Sequence, residues 1–416
     1  MVIKKFLSKF YPEVLIFVFA FLARFIRLDY PKTYIFDEVY HAFTAEQMAK
    51  LNPAAWEWWN TPPSGFAYEW THPPLAKEFM WLAIAIFGDG PFAWRFFSAL
   101  FGFGSIILIY FIAKHLFNRK IALLSALVAS LDGILLVMSR IAMNDSYFLF
   151  FSLLAILFFL KNKNILMSLF LGLAIASKWT GAFAILIVGI SYFIQNLNNI
   201  DFKNALKFFI LLLVIPPIIY FASYTPFFLQ KHTPPMQNFN NFQTFIELQQ
   251  QMWWYHTNLK ATHPYQSTPI QWIFDLRPVW LYVNYEGNQI ANIYTLDNPF
   301  ISWFGLLSIL WLIYELFKKF SFPKFFVVFS YLFFFIFWVH SPRIMFNYHY
   351  LASTAILTIA IGVILNRAHE LKNGKVIIAI CLFLFISSFI YFYPLWTGVH
   401  VPVNFSNHYF WFKSWK

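Results

Sequence analysis

Long apolar runs recur along the whole chain, and they restrict its possible folds more than any other feature of the sequence. A helix needs about 17–25 mostly apolar residues to cross the hydrocarbon layer of a bilayer. Runs of this length predict an all-α polytopic membrane protein with about 11 transmembrane helices, whose backbone polar groups are satisfied within each helix. The predicted spans are residues 12–28, 91–115, 121–138, 146–160, 164–177, 180–196, 205–223, 298–317, 323–340, 345–365 and 375–396.

The composition supports this class. Of the 416 residues, 60% are hydrophobic and only 12% are charged, whereas soluble domains carry about 25% charged residues. A net charge of +12 can indicate binding to nucleic acid, but here the cations cluster in short loops between apolar runs. That arrangement is typical of cytoplasmic loops of membrane proteins. We therefore expect membrane lipid, and no nucleic acid, as a partner.

The cationic loops also predict an orientation in the plasma membrane. With the N-terminus in the cytoplasm, every predicted inner loop carries Lys or Arg, and two long loops, 29–90 and 224–297, lie outside. Both long loops contain several tryptophans, so we expect short helices lying in the membrane interface. Neither loop suggests a separate soluble domain, and residues 1–416 are predicted to form one transmembrane domain.

Two adjacent carboxylates, Asp37 and Glu38, follow the first predicted span. Placing charges beside lipid is costly, so ionisable groups there often have a function. Like charges side by side raise the pKa of one carboxyl, which suits a general base. The alternative interpretation is a solvated pair in a loop, with no role in chemistry.

The same loop continues with the segment Glu69–Lys77, which contains His72-Pro73-Pro74. Proline is tolerated in the first turn of a helix, so a helix is predicted to begin here. His72 would then lie near backbone N–H groups that can bind an anion or a polar substrate. The alternative is a turn in which the side chain only caps the helix.

Further ionisable and polar side chains fall near the ends of predicted spans. Such groups are usually functional or paired, although snorkelling and structural ion pairs are the alternatives. Clustered cations at the depth of the lipid headgroups suit a lipid phosphate as ligand. The candidates are Arg95, Asp132, Arg140, Asp145, Lys178, Arg343, Tyr348 and His349.

The order of these motifs resembles a known family, the dolichyl-phosphate-mannose–protein mannosyltransferases in their bacterial form. No motif for ATP hydrolysis, zinc proteolysis or serine hydrolysis competes with it. The resemblance covers residues 24–351. The motifs that carry it are Phe36-Asp37-Glu38, His72-Pro73-Pro74-Leu75-Ala76-Lys77, Trp94-Arg95, Ser139-Arg140 with Asp145, Ala176-Ser177-Lys178-Trp179-Thr180-Gly181, His263-Pro264-Tyr265-Gln266-Ser267, Asp297-Asn298-Pro299 and Tyr348-His349-Tyr350-Leu351.

The resemblance implies a glycosyltransferase fold of the GT-C type and a defined reaction. Such enzymes move one sugar, here expected to be mannose, from a polyprenyl-phosphate carrier to a Ser or Thr hydroxyl of an exported protein. Asp37 and Glu38 match the catalytic acidic pair of the family, and His72 and Lys77 match a second element, in which Ala76 replaces the more usual glycine. Residues 224–297 are too few for the β-trefoil domain of eukaryotic members. Association with the secretion machinery is compatible with such an acceptor.

In the predicted mechanism, one carboxylate of the pair takes the proton of the acceptor hydroxyl. Arg140, Lys178 and Arg343 are expected to stabilise the leaving phosphate, with inversion at the sugar carbon. A divalent cation is left open, because two carboxylates alone do not define a metal site. The alternatives are a related transferase acting on a lipid or glycan, as the lipid A aminoarabinose transferases do, and a transporter of lipid-linked sugar.

Overall fold

The computed structural model of the chain describes residues 2–199 and 201–416, with side chains from residue 10 onward. Helices dominate this part of the chain, as predicted. The longer ones are α1 (Val2–Phe25), α4 (Pro91–Leu116), α5 (Arg119–Ser130), α7 (Asp145–Leu160), α8 (Asn164–Ser177), α9 (Ala182–Asn196), α10 (Phe202–Ala222), α14 (Pro299–Lys318), α15 (Phe322–Val339), α16 (Leu351–Ala368) and α17 (Gly374–Thr397).

Seven segments of the described chain are long and apolar enough to cross a membrane. The polytopic fold is therefore confirmed, while the count of 11 spans is not. Two further apolar helices, α7 and α8, have only 16 and 14 residues. The seven are Pro91–Leu116, Trp179–Asn196, Phe202–Ala222, Pro299–Lys318, Phe322–Val339, Asn347–Ala368 and Gly374–Thr397.

The predicted span 121–138 is wrong as one continuous helix. Helix α5 ends at Ser130, and a separate short helix, α6, covers Gly133–Val137. Asp132 lies between them in an extended conformation, and its Oδ1 accepts a hydrogen bond from the backbone N–H of Leu135 at 2.9 Å. An N-cap residue has an extended backbone, so the helical hydrogen bonds of α5 do not continue through Asp132 into α6.

The outer segments contain short helices, as predicted for the two long loops. The first holds α2 (Glu38–Ala49), a 3₁₀ turn (Pro53–Trp56) and α3 (Leu75–Phe87). The second holds α11 (Thr225–Leu229), a 3₁₀ turn (Met236–Asn238), α12 (Asn241–Asn258) and α13 (Pro269–Ile273), and a short helix α18 (Val403–Ser406) lies in the C-terminal tail. Further 3₁₀ turns cover Trp179–Gly181, Asn347–Tyr350, Asn407–Tyr409 and Lys413–Trp415.

A small antiparallel sheet, which the sequence analysis did not predict, follows α13. Strands β1 (Trp280–Glu286) and β2 (Gln289–Tyr294) form a hairpin in which Glu286 pairs with Gln289. Gly287 in the two-residue loop has φ +56°, a conformation that favours glycine and is typical of tight hairpins. Strand β3 (Val401–Pro402) then adds to β2 from the far end of the chain.

Helix α16 forms the centre of the bundle. It is the most completely buried of the candidate spans and packs against α5, α14 and α15. A Cβ added at Gly362 would lie 2.2 Å from the Oγ of Ser125 on α5. The two backbones therefore approach closely at this glycine, as small residues allow between membrane helices.

Candidate active site

A cavity of 570 Å³ opens between the first outer loop, α12 and the segment that leads from α15 into α16. A concave site of this size, lined by aromatic rings and a few converging polar groups, is the usual form of a substrate site. Seven of the residues predicted from the sequence line it: Asp37, His72, Asp145, Lys178, Arg343, Tyr348 and His349. Five others, Glu38, Lys77, Arg95, Asp132 and Arg140, do not line it.

Asp37 presents its carboxylate to the cavity just before helix α2 begins at Glu38. The preceding residue, Phe36, has φ +46°, a strained conformation for a large side chain that often marks a functional position. Among the described residues, the Asp37 carboxylate has no hydrogen-bond partner. Burial raises its pKa to about 7, and the nearby charges of Glu69 and Asp145 add to the rise. A carboxyl with this pKa suits a general base at neutral pH.

Glu38 is turned away from the cavity and lies fully buried against Arg95. Its Oε1 accepts from Arg95 Nε at 2.7 Å and from the N–H of Ala142 at 2.9 Å. Its Oε2 accepts from Arg95 Nη2 at 2.7 Å and from the N–H of Ile35 at 3.0 Å. Both oxygens are engaged, so the predicted catalytic role of Glu38 is not supported by its position. The two adjacent carboxylates have different surroundings and different possible roles.

Arg95 and Arg140 bind backbone carbonyls, and their predicted contact with substrate is not supported. Besides Glu38, Arg95 donates to the carbonyl oxygens of residues 28, 31 and 33 at 2.8–3.3 Å. Arg140 donates to the carbonyls of residues 23, 24, 26 and 27, at 2.7–3.1 Å. The last carbonyls of a helix lack intrahelical partners, and a cation there also interacts favourably with the helix dipole. Arg140 therefore holds the end of α1, and Arg95 holds the start of the first outer loop.

Lys77 has a similar structural position on α3. Its Nζ donates to the carbonyl oxygens of His72 at 3.0 Å and Pro73 at 3.3 Å, and its side chain is buried. It therefore holds the turn that carries His72 into the cavity wall, and its predicted role as a substrate ligand is not supported. Burial lowers the pKa of Lys77 to about 8.

Lys178 and Asp145 form a buried ion pair at the cavity wall, with Nζ and Oδ1 2.8 Å apart. Asp145 is the first residue of α7, and Lys178 directly follows α8, so the pair joins two helix ends. The Oδ2 of Asp145 is buried without a partner among the described atoms. Lys178 also lies 5.8 Å from the ring centre of Tyr348. The pair thus offers a cation to the cavity while its charge is partly balanced.

Tyr348 and His349 lie in the 3₁₀ turn Asn347–Tyr350 that precedes α16. The Nδ1 of His349 is 2.9 Å from the carbonyl oxygen of Phe346 and 3.2 Å from its N–H. Its ring also packs edge-on against Trp338, with ring centres 4.3 Å apart. These contacts fix the orientation of a ring whose Nε2 makes no hydrogen bond among the described residues.

Several cavity residues were missed by the sequence analysis. They include Tyr40 and His41 on α2, Glu69 and Thr71 in the first outer loop, and His256 on α12. Glu69 lies in the same conspicuous segment as His72, and its position there was a usable signal. His256 follows three aromatic residues in the second long loop, but nothing in its neighbourhood predicted contact with the first loop.

Comparisons with known proteins identify the family of the chain. The family described as dolichyl-phosphate-mannose-protein mannosyltransferase matches residues 14–230, and the C-terminal four-transmembrane region of protein-O-mannosyltransferase matches residues 241–415. The chain belongs to this mannosyltransferase family. It is therefore a membrane glycosyltransferase with several spans, as the resemblance implied.

Individual relatives of the mannosyltransferase span nearly its whole length. The polyprenol-phosphate-mannose–protein mannosyltransferase of Corynebacterium glutamicum is 25% identical, over 98% of this chain and 93% of the relative. The protein of the same name from Mycolicibacterium smegmatis is 22% identical, over 95% of this chain and 91% of the relative. These are similarities over complete domains rather than over one motif.

Solved structures show the same fold. The Saccharomyces cerevisiae Pmt1-Pmt2 complex bound to the sugar donor has a TM-score of 0.81 at 15% identity, covering 98% of this chain and 93% of the other. ArnT from Cupriavidus metallidurans bound to undecaprenyl phosphate has a TM-score of 0.59 at 16% identity, covering 88% of this chain and 62% of the other. The GT-C type of fold is thereby confirmed.

Proposed function

We propose that this mannosyltransferase moves mannose from a polyprenyl-phosphate carrier to a Ser or Thr hydroxyl of an exported protein. The observation that carries the proposal is the carboxylate of Asp37, which has no hydrogen-bond partner in the described part of the chain and faces a cavity that also contains the cations Lys178 and Arg343. The names of the bacterial relatives support the donor and the protein acceptor.

In the proposed reaction the acceptor hydroxyl donates a hydrogen bond to the Asp37 carboxylate. The hydroxyl oxygen attacks the anomeric carbon of the sugar, the bond from that carbon to the phosphate oxygen breaks, and Asp37 takes the proton. The carrier phosphate leaves with the bonding electron pair, and Lys178 and Arg343 stabilise its charge. Direct displacement of this kind inverts the anomeric carbon.

Other parts of the cavity fit the remaining portions of the donor. Phe183 on α9 and Phe337 on α15 stack with ring centres 4.5 Å apart where these apolar helices meet the cavity. We place the polyprenyl chain beside this aromatic pair, with its phosphate toward Lys178. The described residues bring together no group of three or more His, Cys, Asp or Glu that could hold a metal ion, so the proposed steps use only the two cations.

We further propose the cellular arrangement that the cationic loops indicate. The N-terminus lies in the cytoplasm, and Asp37 faces the outside of the plasma membrane. Residues 1–416 act as one GT-C domain, in which the loops 29–90 and 224–297 form the outer layer. Exported polypeptides would reach the cavity from this side, close to the secretion machinery.

Substitution Asp37→Asn tests the proposal. The amide keeps the size of the side chain but cannot accept the proton, so we expect kcat to fall by about 10²–10⁴-fold. Purified protein in nanodiscs is assayed with polyprenyl-phosphate mannose and a Ser/Thr peptide. Asp29→Asn is the matched control, because among the described side chains the Asp29 carboxylate pairs with Lys32 alone, at an exposed position before α2. Wild-type turnover in Asp37→Asn would exclude this carboxylate as the base.

A further inference from the structure

Arg343, which lines the cavity, is hydrogen-bonded to a histidine that the proposed reaction does not use. Its Nη1 donates a hydrogen bond to the Nδ1 of His256, on the last turn of α12. The Nε2 of His256 lies 2.7 Å from the carbonyl oxygen of Thr71 in the first outer loop. His256 therefore connects three segments that are far apart in the sequence.

The two contacts fix the protonation of the His256 ring. An arginine is always charged and can only donate, so Nδ1 must accept. A carbonyl oxygen can only accept, so Nε2 must carry the proton. The ring is thus neutral, with a single tautomer. Burial, together with the neighbouring Arg343 charge, lowers the pKa of His256 to about 4, which keeps this state at neutral pH.

Contacts other than that with Arg343 also hold the ring of His256 in place. It lies 5.1 Å from the ring centre of His72, at an interplanar angle of 28°, and 5.6 Å from that of Trp179. Its hydrogen bond to Thr71 fixes the remaining rotation. His256 therefore offers Arg343 an acceptor at a defined position.

Arg343 has few other constraints. Within residues 2–199 and 201–416 its guanidinium makes no hydrogen bond except that to His256, and its Nε is buried without a partner. The surrounding segment 340–346 is irregular, and the backbone hydrogen bonds that hold it involve Ser341, Met345 and Phe346 rather than Arg343. The direction of the guanidinium consequently depends on His256. Arg343 itself lines the cavity, so we expect the Nη N–H groups that His256 does not engage to be available to a ligand there.

We propose that His256 is a positioning residue, which orients the guanidinium of Arg343 toward the phosphate of the lipid-linked sugar. The inference rests on the proposed function, because it takes Arg343 as a ligand of that phosphate. A guanidinium that is already oriented before binding loses less conformational entropy when it binds a phosphate. Its charge-assisted hydrogen bonds are strong only at the correct geometry.

Two conservative substitutions separate the two hydrogen bonds of His256. His256→Asn places an amide oxygen near the position of Nδ1 and can still accept from Arg343. His256→Gln extends its amide to the position of Nε2 and can still donate to Thr71, while it loses the acceptor for Arg343. His256→Ala loses both. We expect donor KM to rise about tenfold in the Ala and Gln variants and less than about threefold in the Asn variant.

The experiment measures donor KM, acceptor KM and kcat of the full chain in nanodiscs, with polyprenyl-phosphate mannose and a Ser/Thr peptide. His408→Ala, at an exposed position of the C-terminal tail, is the matched control. Acceptor KM is expected to stay unchanged. Equal donor KM in the Asn and Gln variants, or a change in acceptor KM alone, would overturn the role of His256. Thermal unfolding of each variant identifies any that fail to fold.

A double-mutant cycle with Arg343→Ala separates the positioning role of His256 from the phosphate-binding role of Arg343. If His256 acts through Arg343, then His256→Ala adds nothing to donor KM in the Arg343→Ala background. Independent, additive effects would contradict positioning. If Arg343→Ala itself leaves donor KM unchanged, then the phosphate assignment in the proposed function is wrong, whatever the His256 variants do.

Discussion

The Glu38→Gln enzyme is expected to unfold more readily than the wild type but to keep its turnover. Both carboxylate oxygens of Glu38 accept two hydrogen bonds each, and both Glu38 and Arg95 have 0% exposed side chains. In the glutamine variant one of these oxygens becomes an NH₂ group. Whichever way the amide turns, that group meets two donors, and the Arg95 charge is left without a counter-ion.

The magnitude follows from the burial of this pair. Removing one partner of a buried ion pair costs about 3–5 kcal/mol, which is about two to four orders of magnitude in the unfolding equilibrium. Asp37→Asn should cost far less stability, because the Asp37 carboxylate has no hydrogen bond to lose among the described residues. We therefore expect different phenotypes from the two adjacent carboxylates: Glu38→Gln should lose stability, and Asp37→Asn should lose turnover.

The assay follows the half-life of thermal inactivation in detergent, because membrane proteins often unfold irreversibly. Turnover is measured separately, at low temperature, on the monodisperse fraction of each variant. We expect a greatly shortened half-life but near wild-type turnover per folded molecule for Glu38→Gln. A Glu38→Gln protein with wild-type stability and lost turnover would refute this reasoning and would indicate a catalytic role for Glu38.

Three further predictions concern Asp37 and Arg140. The pKa of Asp37 is raised from 3.8 to about 7, so the rate should fall about tenfold per pH unit below pH 7 and level off above it. The same shift means that the wild type loses stability relative to Asp37→Asn as the pH rises from about 4 to about 7, which thermal unfolding at several pH values would detect. Arg140→Ala removes four hydrogen bonds to the end of α1. It should destabilise the protein by about 2 kcal/mol or more, and an unchanged half-life of inactivation would contradict that role.

Hydropathy alone predicted the class of fold and most of the long helices, since the bilayer allows few alternatives. It overlooked the interruption at Asp132, because a single capping carboxylate hardly changes the mean hydropathy of a span. It also overlooked the hairpin around Gly287, although the aromatic residues of β1 and the two-residue loop Gly287-Asn288 were usable signals.

The site was predicted in outline, but adjacency in sequence was misleading. Asp37 and Glu38 looked like one acidic pair, yet successive residues at a helix start point in different directions. The partners of Arg140 and Arg343 are distant in sequence and become visible only in the folded chain. A cation near a span end therefore predicts a strong interaction without telling whether its partner is substrate or backbone.

The third strand of the small sheet comes from beyond four long helices, α14 to α17. Beside it, the indole N–H of Trp415 donates to the carbonyl oxygen of Asp275 at 2.6 Å, and Arg277 donates to the carbonyl oxygen of Ser414 at 2.8 Å. During synthesis the edge of β2 therefore stays uncovered until α17 and the tail that follows it have been made. Completion of this sheet is thus a late event, and an early stop in translation leaves it unfinished.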